Sequence, residues 1–164
     1  MAHPGHHSLK RPEFLFLKRV TLDEVPEDSL TRTAYQFWRG LIMEAVPRKV
    51  LPWVFLMDVI RASDGTLDYR YRLNGTSNVS LVGRDPTGKL ASEIFAKTER
   101  RFMLDSFNMT VKEKAPTFWV GAVPHDRIDQ INIWRGLFPL ASDRENVDHI
   151  LGIAVPRPNE TAPR

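Results

Sequence analysis

Arg84 and Asp85, adjacent opposite charges set between Gly83 and Pro86, come nearest in type and spacing to a binding motif. A guanidinium takes a carboxylate or phosphate in a two-pronged fashion, so the pair could hold an anionic group. Asp followed by Pro is also a helix entry, with Asp85 as the cap and Arg84 paired locally. That structural role is the one favoured here. His125 stands beside Asp126 and His149 beside Asp148. A working base and its orienting carboxylate meet through space and not along the chain, so His125 reads as a turn residue and His149 as a strand residue. His3, His6 and His7 are imidazoles on an arm without fixed geometry or supporting groups, and no metal site is expected there. The chain has no cysteine, which excludes disulfides, thiolate metal sites and a cysteine nucleophile. It also lacks a Gly-x-Ser-x-Gly word, a phosphate loop and a dinucleotide fingerprint. No catalytic residue is assigned, no cofactor is named, and the expectation is a protein that is not an enzyme.

Composition bounds the remaining classes. A chain of 164 residues with 42% hydrophobic and 10% aromatic content suits one domain with a true core. Twenty-three Lys and Arg against 20 Asp and Glu give a net charge of +3. The basic residues come as short pairs, Lys18-Arg19, Arg48-Lys49 and Arg100-Arg101, interleaved with acids. Nucleic-acid binding needs a concentrated basic stripe, so no nucleic-acid partner is expected. No apolar run approaches the roughly 20 residues that span a bilayer, and the first residues, MAHPGHHSLK, lack the apolar core of a signal peptide. A soluble, cytoplasmic protein without a membrane partner is expected, and its four Asn-x-Ser/Thr words are then without consequence.

Residues 1–29 read as an arm, disordered in part, whose apolar patch Phe14-Leu15-Phe16-Leu17 docks on the domain. Leu30, Ala34, Phe37, Trp38, Leu41, Ile42 and Ala45 recur at helical spacing. They predict an amphipathic helix capped by Asp28 or Ser29 and ended by Pro47. Trp53 to Ile60 and Leu67 to Leu73 are strands joined through Asp64-Gly65, a hairpin signal. In the second strand Tyr69, Tyr71 and Leu73 share one face, and Asp68, Arg70 and Arg72 the other.

Residues 76–115 read as helical. Thr76 to Leu81 is a short helix ended by Gly83, Thr87 to Phe95 is another short element, and Thr98 caps a longer helix. That helix gathers Met103, Leu104, Phe107 and Val111 on one face, opposite Arg101, Asp105, Asn108 and Lys112. Thr117 to Val123, Ile131 to Ala141 and Val147 to Val155 form a three-strand meander, each strand with a central glycine: Gly121, Gly136 and Gly152. Residues 157–164 are expected to be a disordered tail, which leaves 30–156 as the domain.

Helix, two strands, two or three helices and three strands, in that order, resemble a PAS domain, and the residues resemble the proteobacterial single-domain PAS_5 family. The resemblance rests on four words: Tyr35-Gln36-Phe37-Trp38, Leu51-Pro52 leading into Leu56-Met57-Asp58-Val59, Tyr71-Arg72-Leu73-Asn74-Gly75-Thr76, and Gly83-Arg84-Asp85-Pro86-Thr87-Gly88-Lys89. It implies an α+β fold: a five-stranded antiparallel sheet with the central helices on one face and an N-terminal amphipathic helix. Some members bind haem through histidine, but His125 and His149 lie outside the central helical region that such members use.

A curved sheet facing short helices leaves an interior space suited to a small ligand. On that reading the chain is a stand-alone sensory and signalling domain. It binds an unidentified small molecule in an apolar cavity walled by Tyr71, Leu73, Phe107, Trp119 and Trp134, with the strand glycines leaving room. Simple core packing is the competing role for each of these aromatics. The signal then leaves through protein contacts, with a signalling partner or in a homodimer. The alternative is a ligand-free interaction or dimerisation module that buries Trp38 and Ile42 against a second copy. A small cone-shaped enzyme is disfavoured, because such enzymes place helices before their first long strand and keep a carboxylate base in the cavity. Asp58 or Asp105 inside a closed pocket would revive it.

Overall fold

The computed structural model describes residues 14–40, 46–125, 127 and 130–157. The alternating segments pair into one antiparallel sheet of six strands: β1 (Phe16–Val20), β2 (Val54–Arg61), β3 (Leu67–Asn74), β4 (Thr117–Pro124), β5 (Gln130–Leu140) and β6 (His149–Pro156). Their order across the sheet is β1-β4-β5-β6-β2-β3. Among the described residues four α-helices accompany it: α1 (Leu30–Gly40), α2 (Thr76–Val82), α3 (Ala91–Ile94) and α4 (Lys97–Glu113). The sequence predicts five strands, and the sixth comes from the arm.

The patch Phe14-Leu15-Phe16-Leu17 does more than dock. Phe16 to Val20 pair residue by residue with β4, from Phe16 opposite Ala122 to Val20 opposite Phe118. Without this strand, β4 would be an edge, and its backbone N–H and C=O groups would need other partners. Lys18 and Arg19 interrupt the apolar pattern, so the strand is hard to see in the sequence. Side chains from α4 hold it in place. The buried Glu99 carboxylate accepts the Phe14 N–H at 2.7 Å, and Arg19 forms a fork onto Glu113 at 2.7 and 2.8 Å. That fork holds the Glu113 carboxyl below its ordinary range, chiefly through the Arg19 hydrogen bond. Both groups of the fork are more than a third exposed, so it contributes about 1 kcal/mol or less.

Parity along the strands makes two cores. The inner face carries Phe55, Met57, Tyr69, Tyr71, Ile133, Leu137 and Ile150 against Ala91, Ile94, Phe95, Met103 and Phe107 of the α3–α4 region. On the outer face, Val54, Phe118, Trp134, Phe138 and Ile153 lie against Ala34, Leu30, Tyr35 and Trp38 of α1. Ser29 caps α1, its Oγ accepting the Arg32 N–H at 3.1 Å. The predicted continuation through Leu41, Ile42 and Ala45 lies outside the described residues. The predicted Thr98 cap of α4 is corrected. The helix begins at Lys97, and Glu99 reaches back to accept the Ala96 N–H at 3.0 Å. In the turn after β5, Asp143 accepts the Asn146 and Glu145 amides at 2.7 and 2.9 Å, which helps hold its carboxyl down at about 2.

A bulge in the β2–β3 ladder reverses the expected facing of one residue. Met57 pairs with Tyr71 and Leu56 with Leu73, which leaves Arg72 as the extra residue. Such an insertion shifts every later side chain to the opposite face. Leu73 therefore points away from Tyr71 and is 48% exposed, whereas Asn74 turns inward to the space beneath α2.

Candidate functional site

The start of α2 is fixed and its end lies over a small void. Gly75 packs so closely on the Leu51 and Pro52 carbonyl groups that a Cβ would collide with backbone. Asn78 donates from Nδ2 to the Trp53 carbonyl at 2.7 Å. Gly83, at φ 80°, ends the helix in a left-handed turn. Beneath α2, a cavity of about 30 Å³ is lined by Phe14, Phe55, Tyr71, Asn74, Asn78, Leu81, Val82, Pro86, Arg135 and Ala154. That volume suits about one water molecule, whereas ligand pockets run from roughly 300 Å³ upward. The void as it stands is therefore far smaller than a ligand pocket.

Arg84 and Asp85 do not reach into it to form a clamp. Arg84 donates to the Ile94 carbonyl at 2.6 Å, and Asp85 accepts from the Thr87 N–H and hydroxyl at 3.0 and 2.6 Å. Asp85 caps a turn and not a helix, since α3 starts later, at Ala91.

The charged group in the wall is Arg135 of β5, 1% exposed. Its guanidinium sits over the rings of Phe107, Phe55 and Phe14, at 4.8, 5.4 and 5.6 Å from their centroids. It also donates to Ser106 Oγ at 3.0 Å. Each desolvated cation–ring contact of this kind stabilises by about 2 kcal/mol, which offsets part of the cost of burying the charge. Sequence reasoning passed over Arg135, although parity marks it. In Ile131, Ile133, Arg135 and Leu137 it is the one charge in an inward apolar series. Phe55, Asn78, Leu81, Val82 and Ala154 carry no such signal in the sequence, and Asn74 is marked there only as part of the word that carries the family resemblance.

The structure separates the five predicted wall residues. Tyr71 lines the cavity. Phe107 lies one layer behind it, packed on Tyr69 at 4.8 Å between centroids and under Arg135. Trp119 is on the inner face but near β1, its Nε1 donating to Thr117 Oγ1 at 2.9 Å and Arg19 stacked on its ring. Leu73 is turned away by the bulge. Trp134 belongs to the outer core beneath Arg157, because it neighbours the inward Arg135 and strand parity sends it to the other face. The room expected at the strand glycines is filled by the chain itself: by Phe55 at Gly152, by Phe138 and Thr31 at Gly136, and by Phe16 and Leu17 at Gly121.

Trp38, predicted for a dimer interface, is engaged within the chain. Its Nε1 donates to the Pro139 carbonyl at 2.9 Å, and its ring stacks on Phe138. Ile42 lies outside the described residues.

Asp58 and Asp105 both lie away from the cavity lining. Asp105 lines a wide surface groove beside Lys97, Arg101 and Lys112. Asp58 sits on the outer face, 3.0 Å from Arg72 Nε and 3.2 Å from His149 Nε2, and His149 Nδ1 meets Asp148 at 2.7 Å. His149 is thus held between two carboxylates, Asp58 being its cross-strand partner. The cluster brings together side chains from three strands, and only its Asp148–His149 half is adjacent in sequence. His125 is a turn residue whose Nδ1 accepts the Arg127 N–H at 3.2 Å; Asp126 lies outside the described residues. Among the described residues, no three His, Asp or Glu side chains are grouped to hold a metal ion, and no helix is long and apolar enough to cross a membrane.

The profile of the PAS domain family matches residues 32–155. Solved structures with a similar fold include a mutant of Vivid, at 5% identity and a TM-score of 0.44, covering 74% of this chain and 98% of that one. Another variant, from the fungal photoreceptor of that name, is 6% identical with a TM-score of 0.44, covering 74% and 92%. An RNA-binding light-oxygen-voltage receptor is 15% identical with a TM-score of 0.43; the match spans 86% of this chain and 38% of the receptor chain. No curated protein matches the chain.

Proposed function

Because the chain belongs to the PAS domain family, we propose that it is a sensory domain that admits a small molecule beneath α2 and passes the event on through protein contacts. The observation that carries this reading is the cavity itself: apolar walls from Phe55, Leu81, Val82 and Ala154, with Tyr71, Asn74, Asn78 and Arg135 as polar groups. This is the chemistry of a ligand site at closed volume. Opening requires the Leu81–Val82 end of α2 to move, and Gly83 gives the chain a turn about which it can do so. Phe14 touches both the cavity and, through Glu99, the α4 helix. An occupant that displaces Phe14 therefore biases β1, an edge strand whose Phe16 is exposed beside the equally exposed Leu15 that precedes it. A ligand shifts this equilibrium only by its difference in affinity for the two forms.

The second reading, a ligand-free interaction module, draws on the smallness of the closed cavity and on exposed Leu51 and Leu73. Melting curves across a metabolite library separate the two. A ligand present at about 100 times its Kd adds about 2.7 kcal/mol, which raises the melting temperature by roughly 5–10 °C for a chain of this size. A library that moves it nowhere, with a dimer in solution, favours the interaction module instead.

A further inference from the structure

We infer that the solvent side of α4, walled by the β2–β3 hairpin, is a docking groove for an acidic segment of a partner protein. The inference concerns the surface and holds whether or not the cavity beneath α2 takes a guest. The groove encloses about 780 Å³, and Lys97, Arg100, Arg101 and Lys112 line it with a single carboxylate, Asp105. That carboxylate cancels little of the positive field. Arg101 Nε stands 4.0 Å from Asp105, and the two side chains are 94% and 61% exposed, so water screens the pair. The other acids nearby in these elements are engaged away from the lining. Asp64 accepts the Thr66 amide at 2.9 Å, the buried Glu99 takes the Phe14 and Ala96 amides, and Glu113 takes the Arg19 fork. The Tyr69 hydroxyl donates to Asn108 Oδ1 at 2.6 Å, which leaves the Asn108 Nδ2 group as a further donor on the lining. Donors and positive charge thus prevail along the groove, and carboxylates are their complement.

Length and lining narrow the occupant. Lys97 and Lys112 stand at opposite ends of α4, about 22 Å apart at 1.5 Å per residue. Between them Arg101, Leu104, Asn108 and Lys112 follow at three- and four-residue steps, on one side of the helix. No small anion bridges that distance, whereas an extended or helical segment lying along α4 does. Leu67 and Leu104, both half-buried, give the groove an apolar strip that suits an apolar side chain set between the acids. Nucleic acid fits less well. Among the described residues the lining has no aromatic ring on which a base could stack. Asp105, midway along, opposes an unbroken phosphate chain, while a peptide can place a neutral residue there.

The probe is a labelled peptide repeating Glu-Glu-Leu over about 15 residues, which as a helix matches the length of the stripe, read by fluorescence anisotropy on the full chain. It is expected to bind, to weaken as salt rises, and to bind about tenfold or more tighter than the same peptide with Gln for Glu. Lys97→Glu with Arg101→Glu, both exposed positions, is expected to weaken it about tenfold. Arg48→Glu with Lys49→Glu makes the same change in net charge at exposed positions away from the groove, and should alter binding by about twofold or less. Equal losses in the two double variants would overturn the assignment, because net charge alone would then explain the binding. Tighter binding of a single-stranded oligothymidylate of matched length, lost in Lys97→Glu with Arg101→Glu, would give the groove to nucleic acid and overturn it as well. So would a salt-sensitive dimer of the chain alone that the same variant breaks, since the occupant would then be a second copy. Absence of peptide binding at low salt contradicts the inference directly.

Discussion

Replacing Gly152 with alanine is expected to lower the melting temperature by about 10 °C, from a loss of about 3 kcal/mol. Gly152 is paired directly with Phe55 across the β2–β6 ladder, and the Phe55 ring lies over the place where a Cβ would stand. An added methyl group would fall within the ring's van der Waals envelope. The ring cannot retreat freely, because it also packs on Tyr71 with centroids 5.9 Å apart and beneath Arg135. The strain therefore goes to the backbone or to an unfavourable rotamer. Phe55→Leu in the same chain should recover most of the loss, since the smaller side chain vacates that space. A double-mutant cycle by thermal denaturation reads the coupling. Wild-type stability in Gly152→Ala would mean that the Phe55 ring does not occupy the space at Gly152.

Phe107→Ala should cost about 4 kcal/mol, the usual range for a fully buried phenylalanine. Phe107 is completely buried. It joins Tyr69, Phe95 and the Arg135 guanidinium in one aromatic cluster. The truncation leaves a void and removes the closest ring from a buried charge, so two penalties act at one position. Against a total stability of roughly 5–15 kcal/mol, the variant stands near the threshold of folding. Phe107→Leu, which refills most of the volume, should lose less than about half as much. Urea denaturation of the two variants gives the comparison. Equal losses would show that volume contributes little and that the aromatic face over Arg135 is what matters.

Much of the architecture is legible in the chain because it rests on local patterns. The apolar run after Pro52, the alternation from Leu67 and the three meander strands all appear within a residue or two of their predicted limits. The glycine that ends α2 does as well. Features that depend on long-range pairing are not legible. Strand β1 exists because β4 offers it an edge some 100 residues away in sequence, and Lys18 and Arg19 hide its alternation. The bulge at Arg72 is a property of two strands together, so reading β3 alone places Leu73 on the wrong face.

The site follows the same division. Tyr71 was reachable from alternation before the bulge. Trp134 is a candidate as an aromatic of the meander, whereas the facing of β5 depends on which neighbour points inward, and the inward one is Arg135. A charge within an apolar strand is the signal that sequence reasoning had available and did not use. The glycines misled for a related reason. A missing side chain leaves space, but only the folded neighbours decide whether Phe55, Phe138 or a ligand fills it.

The central claim is that the space beneath α2 receives a small molecule, and native mass spectrometry of the freshly purified chain, beside Ala154→Leu, addresses it most directly. Ala154 lines the cavity, and leucine there adds three carbons, enough to fill a void the size of one water. The account predicts a non-covalent adduct on the wild-type chain, retained from the host or restored by a ligand found in the library, and its loss from Ala154→Leu with the fold intact. An adduct that persists unchanged in Ala154→Leu would place the molecule elsewhere, and a wild-type chain that carries no adduct under either condition would contradict the claim outright.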